Sequence, residues 1–118
     1  MLEPQVIVVP EKEDFIQSVL YESKVWINRD LGEPDLEGRN ARYLAPYWLK
    51  DDRGATRVYH ILETSTSENS THIELGNAFV LPEPLREQEQ RRRFYYVALS
   101  QLGMVEICDG LLMPLPAS

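Results

Sequence analysis

The stretch from Arg42 to Leu62 constrains the fold more than any other part of the chain. It reads Arg-Tyr-Leu-Ala-Pro-Tyr-Trp-Leu-Lys, then Asp-Asp-Arg-Gly, then Ala-Thr-Arg-Val-Tyr-His-Ile-Leu. Two runs rich in aromatic and β-branched residues flank a polar turn ending in Gly54. The runs suit a pleated, half-buried surface, and Asp and Gly supply turn conformations, so the pattern predicts a β-hairpin. In the first run Tyr43, Ala45, Tyr47 and Leu49 alternate with Leu44, Pro46 and Trp48. Neither set is polar, which predicts a strand covered on both sides or lining a pocket. Pro46 has no N–H for a ladder, so an edge position or a bulge is expected there.

Other elements follow the same logic. Gln5 to Val9 is a continuous apolar run and reads as a buried strand. Pro10, Glu11, Glu13 and Asp14 suit the start of a helix to about Tyr21, with Phe15, Ile16, Val19 and Leu20 on one face. Lys24 to Asn28 reads as a strand with Trp26 opposite Val25 and Ile27. Residues 29–40 form a loop broken by Gly32, Pro34 and Gly38, and 64–70 a polar loop. Thr71 to Leu75 alternates as a strand, Gly76-Asn77 reads as a turn, and Ala78 to Leu81 as a further strand stopped by Pro82. Leu85 to Arg93 is highly charged and reads as a helical turn or a solvated loop. Phe94 to Tyr96 closes the sheet, and a short helix spans Val97 to Met104 with Gly103 near its end. Residues 105–118 are expected to form an irregular C-terminal extension. Sequential strands joined by turns predict an α+β domain with an antiparallel, barrel-like sheet and helices at its edges.

The chain has 118 residues, the size of one domain, 1–118. Its lone Cys108 excludes an internal disulfide and a cysteine metal knuckle. No apolar run nears the roughly 20 residues that span a bilayer, and Val6–Val9 lacks the flanks of a signal peptide. These features lead us to expect a soluble, cytoplasmic protein without a membrane partner. The net charge of -7 opposes bulk electrostatic attraction to nucleic acid. The charge is uneven, however, with arginines clustered at 39 and 42, at 53 and 57, and at 91 to 93.

No catalytic motif is present: no Gly-rich phosphate loop, no Gly-x-Ser-x-Gly and no HExxH. His60 and His72 fall on different predicted strands, which permits a shared metal site but fits surface or hydrogen-bonded histidines better. Cys108 beside Asp109 is not in an electropositive setting, so a structural thiol is expected. Glu63 and Glu74 could meet across a strand pair, by chance rather than for catalysis. The chain is therefore read as a non-enzyme with no cofactor and no metal.

What remains is an excess of aromatics near arginines. Trp26, Tyr43, Tyr47, Trp48, Tyr59, Phe94, Tyr95 and Tyr96 all fall on predicted strands. Such rings can wall a slot that stacks a base, worth about 1–3 kcal/mol per base, with arginines at the rim holding phosphates. Aromatics on strands more often fill cores and make cross-strand pairs. The candidate stacking residues are Trp26, Tyr43, Tyr47 and Trp48; the candidate phosphate contacts are Arg42, Arg57 and Arg93.

The order of these motifs carries a resemblance. Val8-Val9-Pro10 ends a strand, a helix carries Phe15, and Trp26 sits on a strand. Arg42 to Tyr47, a strand through Tyr59 and Ile61, and Arg93-Phe94-Tyr95 before a short helix follow. This succession resembles the PUA-like superfamily, nearest the small EVE-type domains found alone or beside restriction and defence enzymes. It covers most of residues 5 to 104. The resemblance implies a mixed, mostly antiparallel β pseudo-barrel with short flanking helices. It also implies a non-catalytic module that recognises DNA or RNA, with a modified base taken into an aromatic pocket. Trp26 matches the strand aromatic near that pocket, Tyr43 and Tyr47 the strand that follows, and Arg93 the residue before the closing strand. The chain departs from the family pattern in its acidity and its long 29–40 loop. The acidity fits a second reading, a protein-interaction module or a subunit of a restriction or defence system. There the acidic surface or the apolar tail 111–116 would engage a protein partner.

Overall fold

A computed structural model describes residues 4–11, 25–28, 40–48, 54–67, 70–85 and 94–115. Eight strands are formed among them: β1 (Gln5–Glu11), β2 (Val25–Asn28), β3 (Ala41–Trp48), β4 (Gly54–Ser67), β5 (Ser70–Leu85), β6 (Tyr95–Ala98), β7 (Met104–Cys108) and β8 (Leu111–Pro114). A 3₁₀ turn, Leu99–Leu102, joins β6 to β7. Six strands make one mixed sheet in the order β2-β5-β4-β3-β1-β6, and β7 and β8 make a separate two-stranded sheet. Within the large sheet β1 and β3 run parallel, and the other neighbours are antiparallel.

The parallel pair is interior and buried on both faces, which is why its sequence is apolar without interruption. Val6, Ile7, Val8 and Val9 are wholly buried, as are Tyr43, Leu44 and Ala45. Alternation divides them. Val6, Val8, Tyr43, Ala45 and Tyr47 enter one layer together with Leu99, Leu102, Met104 and Leu112. Ile7, Val9 and Leu44 enter the other, with Trp26, Tyr59 and Ile73. The two-sided cover expected of the Arg42–Trp48 strand is thus observed. So is the irregularity at Pro46: the β3–β4 register shifts between Leu44 and Tyr47, as a residue without an N–H requires in an interior strand.

Several expectations are corrected. The sheet is open rather than barrel-like, with β2 and β6 at its two ends. Pro10 does not start a helix; it lies inside β1, which continues to Glu11. Strand β6 pairs with β1 only as far as Val8, so a missing N–H at Pro10 removes no bond on that side. The rest of the expected 10–21 helix, the 29–39 loop and the 86–93 segment lie outside the described residues. The polar 64–70 segment is largely ladder, with Thr64 opposite Ile73 and Ser67 opposite Ser70. Gly76-Asn77 is not a turn but part of one long β5. It faces a doubly shifted stretch of β4, where the Leu62 side chain lies over Gly76. A Cβ there would sit 2.8 Å from Leu62 Cδ2. The glycine serves close approach in a bulged pair, not reversal.

The expected Val97–Met104 helix is a single 3₁₀ turn. Gln101 Oε1 accepts the Ala98 N–H at 2.7 Å, and Gly103, at φ 74°, closes the turn by donating to Ser100 O at 3.0 Å. The supposed irregular extension from residue 105 is the β7–β8 hairpin. Asp109-Gly110 between two apolar runs is a hairpin signal; the prolines at 114 and 116 had obscured it. No helix among the described residues is long and apolar enough to cross a membrane.

Candidate functional site

The β7–β8 hairpin is held against the large sheet by a polar cluster. Antiparallel pairing sets His60 of β4 opposite Tyr43 of β3, and their rings tilt together with centroids 5.5 Å apart. The hairpin brings Glu106, Asp109 and Gly110 over this pair. Tyr43 Oη donates to Glu106 Oε2 at 2.5 Å. Arg42 Nη1 lies 3.1 Å from Glu106 Oε1, and its Nη2 pairs with Asp109 Oδ1. His60 Nε2 stands 3.5 Å from the same Asp109 oxygen. Burial, and then the hydrogen bond to the Glu106 carboxylate, push the Tyr43 phenol well above its ordinary range. Tyr43 therefore stays protonated and donates at all ordinary pH values. One guanidinium bridges two carboxylates while Tyr43 donates to one of them, and that suits a clamp better than a proton-transfer centre.

What the clamp holds in place is apolar. Along β7 and β8, Met104 and Leu112 point into the core. The alternate residues Val105, Ile107, Leu111 and Met113 are 37%, 58%, 44% and 45% exposed, and Val105 pairs with Met113 across the ladder. Beyond β8, Leu115 donates its N–H to Gly103 O at 2.9 Å. There it borders a groove of about 590 Å³ between Pro82–Leu85 and Ser100–Gly103. A second groove, about 440 Å³, runs between Asn40–Arg42 and Ile61–Thr64. Arg42 lies in its wall with its guanidinium already committed to carboxylates.

The predicted stacking residues do not assemble into one slot. Trp26 is 1% exposed in one layer, edge-on to Phe94 with centroids 6.5 Å apart. Tyr43 and Tyr47 are buried in the other layer, across the sheet. Trp48 ends β3 opposite Gly54; its side chain lies outside the described residues, as does Arg93. Of the phosphate candidates, Arg42 is taken up by Glu106 and Asp109, and Arg57 is exposed on β4 opposite Val80. Sequence reasoning missed the roles of Glu106 and Asp109, whose hydrogen-bond partners Arg42 and Tyr43 lie more than 60 residues away. No local pattern announces such a pairing. The alternation of Val105 and Ile107 on either side of Glu106 was the available sign of the outer face.

His60 and His72 do not share a site, and no cluster of three or more His, Cys, Asp or Glu residues among the described ones could hold a metal. Glu63 and Glu74 do meet, as direct cross-strand partners, both exposed. Compared with known proteins, the chain matches no family model, no curated protein and no solved structure.

Proposed function

We propose that this chain is a non-catalytic binding module that docks a protein partner on the outer face of its β7–β8 hairpin. The observation that carries the reading is the set Val105, Ile107, Leu111 and Met113, all exposed on one face. Single exposed apolar residues are ordinary, but four on one face of a two-stranded sheet form a patch of the kind used for docking. Burying a fully exposed side chain of this size is worth about 1.5–3 kcal/mol, and covering the exposed half of each of these is worth about half that. The Arg42–Glu106–Asp109 clamp orders the patch before any partner arrives, which lowers the entropy cost of binding.

A photocrosslinking residue at position 107 or 113 tests this in cells that naturally make the chain. We expect one discrete protein adduct, lost when Leu111→Lys is added and absent when the probe sits at exposed Glu74. Adducts at position 74 alone, or none at all, would sink the reading. Deleting residues 109–118 is a poorer test, because it removes Leu112 from the core and Asp109 from the clamp.

Recognition of a nucleic acid, modified base included, has exposed Arg57 in its favour. Base stacking on Trp26, Tyr43 or Tyr47 would require buried rings to leave two separate layers. Phosphate contacts would then have to carry the affinity against a net charge of -7. A low-salt titration with labelled single- and double-stranded DNA and RNA, with and without methylated bases, tests it. Saturable binding weakened by Arg57→Ala would favour it, and no binding would leave the protein-docking reading alone.

A further inference from the structure

Leu111, Met113 and Leu115 occupy every second position, and all three are exposed. Leu115 also borders the groove between Pro82–Leu85 and Ser100–Gly103. The apolar strip of β8 therefore runs directly into that groove. Glu83, exposed, is the one charged residue among the described residues lining it. Among the described residues, acidic side chains outnumber basic ones. The basic residues among the described positions are Arg42 and Arg57, against Glu11, Glu63, Glu74, Glu83, Glu106 and Asp109. Arg42 is already held by two carboxylates.

Resting on the docking reading above, we propose that the partner presents an extended segment with apolar residues at every second position, followed by a Lys or Arg. The apolar side chains cover Val105, Ile107, Leu111 and Met113, and the basic side chain enters the groove toward Glu83. Two observations support this. The two-residue period of an extended segment laid on this face matches the spacing of the strip. The aliphatic stem of Lys or Arg can pack on Pro82, Pro84 and Leu115 while its charged end reaches the carboxylate. A second copy of this hairpin fits less well, because residues 94–115 contain no Lys or Arg and each chain carries -7.

The test is fluorescence anisotropy with the full chain and three labelled synthetic peptides of about ten residues, enough to span the strip and the groove. One alternates Val with Thr and ends in two Lys; the second ends in two Glu instead; the third replaces Val by Ser and keeps the Lys pair. We expect saturable binding of the first alone, weakened by salt. Its affinity should fall about tenfold with Glu83→Lys and by as much or more with Ile107→Lys or Met113→Lys. Circular dichroism melts, with Met113→Thr as a milder variant, confirm that these surface variants fold. If the Lys and Glu peptides bind alike and Ile107→Lys abolishes both, the basic partner is wrong while docking on this face stands. If no peptide binds, or Ile107→Lys changes nothing, both readings fall. A dimer in sedimentation that Met113→Lys dissolves would assign the face to a second copy and overturn the proposal.

Discussion

Tyr43 Oη donates to Glu106 Oε2 at 2.5 Å, and this bond ties an interior strand of the sheet to a hairpin 63 residues further along the chain. Tyr43→Phe keeps the ring and removes the donor, leaving the mostly buried Glu106 carboxylate to Arg42 among the described residues. A loss of about 1–3 kcal/mol in urea denaturation is expected. The pH dependence has a definite sign. Folding raises the phenol above its ordinary value of 10.0, so the native state holds a proton that the unfolded chain releases. Tyr43's contribution is complete below pH of about 10 and is lost as pH rises beyond it. Melting temperatures from neutral pH upward should fall more steeply above that value in the wild type than in Tyr43→Phe.

Gly110 turns the hairpin at φ 81°, and a Cβ there would come 2.7 Å from His60 Nδ1. Gly110→Ala therefore combines backbone strain with a clash, and we expect a loss of about 1–3 kcal/mol. Adding His60→Ala removes the clash but not the strain. The double variant should lose less than the sum of the two single changes, as denaturation midpoints would show.

Trp26 is core. Trp26→Ala should cost about 3–5 kcal/mol. In a Trp48→Phe background, its emission should be blue-shifted and poorly quenched by iodide. Strong quenching by iodide, or by single-stranded DNA in the folded protein, would contradict that burial.

Glu63 and Glu74 stand directly opposite each other on β4 and β5 with both side chains exposed. Like charges in this position repel. Glu74→Lys should stabilise the protein by about 0.2–1 kcal/mol, and the gain should shrink as salt is raised. A gain that persists unchanged in high salt would point to packing or propensity instead.

Local pattern carried much of the strand content. The aromatic and β-branched runs around Gly54 form the hairpin, and Val6–Val9 forms a buried strand, because period two and burial on both faces leave a direct mark on composition. The pattern misled where a residue has two uses. Gly76 and Pro10 read as breaks, yet one permits Leu62 to approach the backbone and the other sits where β6 no longer pairs. Asp109-Gly110 was a sound turn signal, but nearby prolines made the flanking runs look irregular.

Taken by itself, the sequence determined which side chains of a strand share a side: Tyr43, Ala45 and Tyr47 on one, Leu44 on the other. Pleating imposes that division on any extended chain. Only the tertiary structure decided what each side meets. Strand order and register set Trp26 in one layer and Tyr43 in the other, brought Glu106 and Asp109 to Arg42, and left Val105, Ile107, Leu111 and Met113 facing outward. Such partners are separated by dozens of residues, and their meeting depends on how whole strands pair, which no local period encodes.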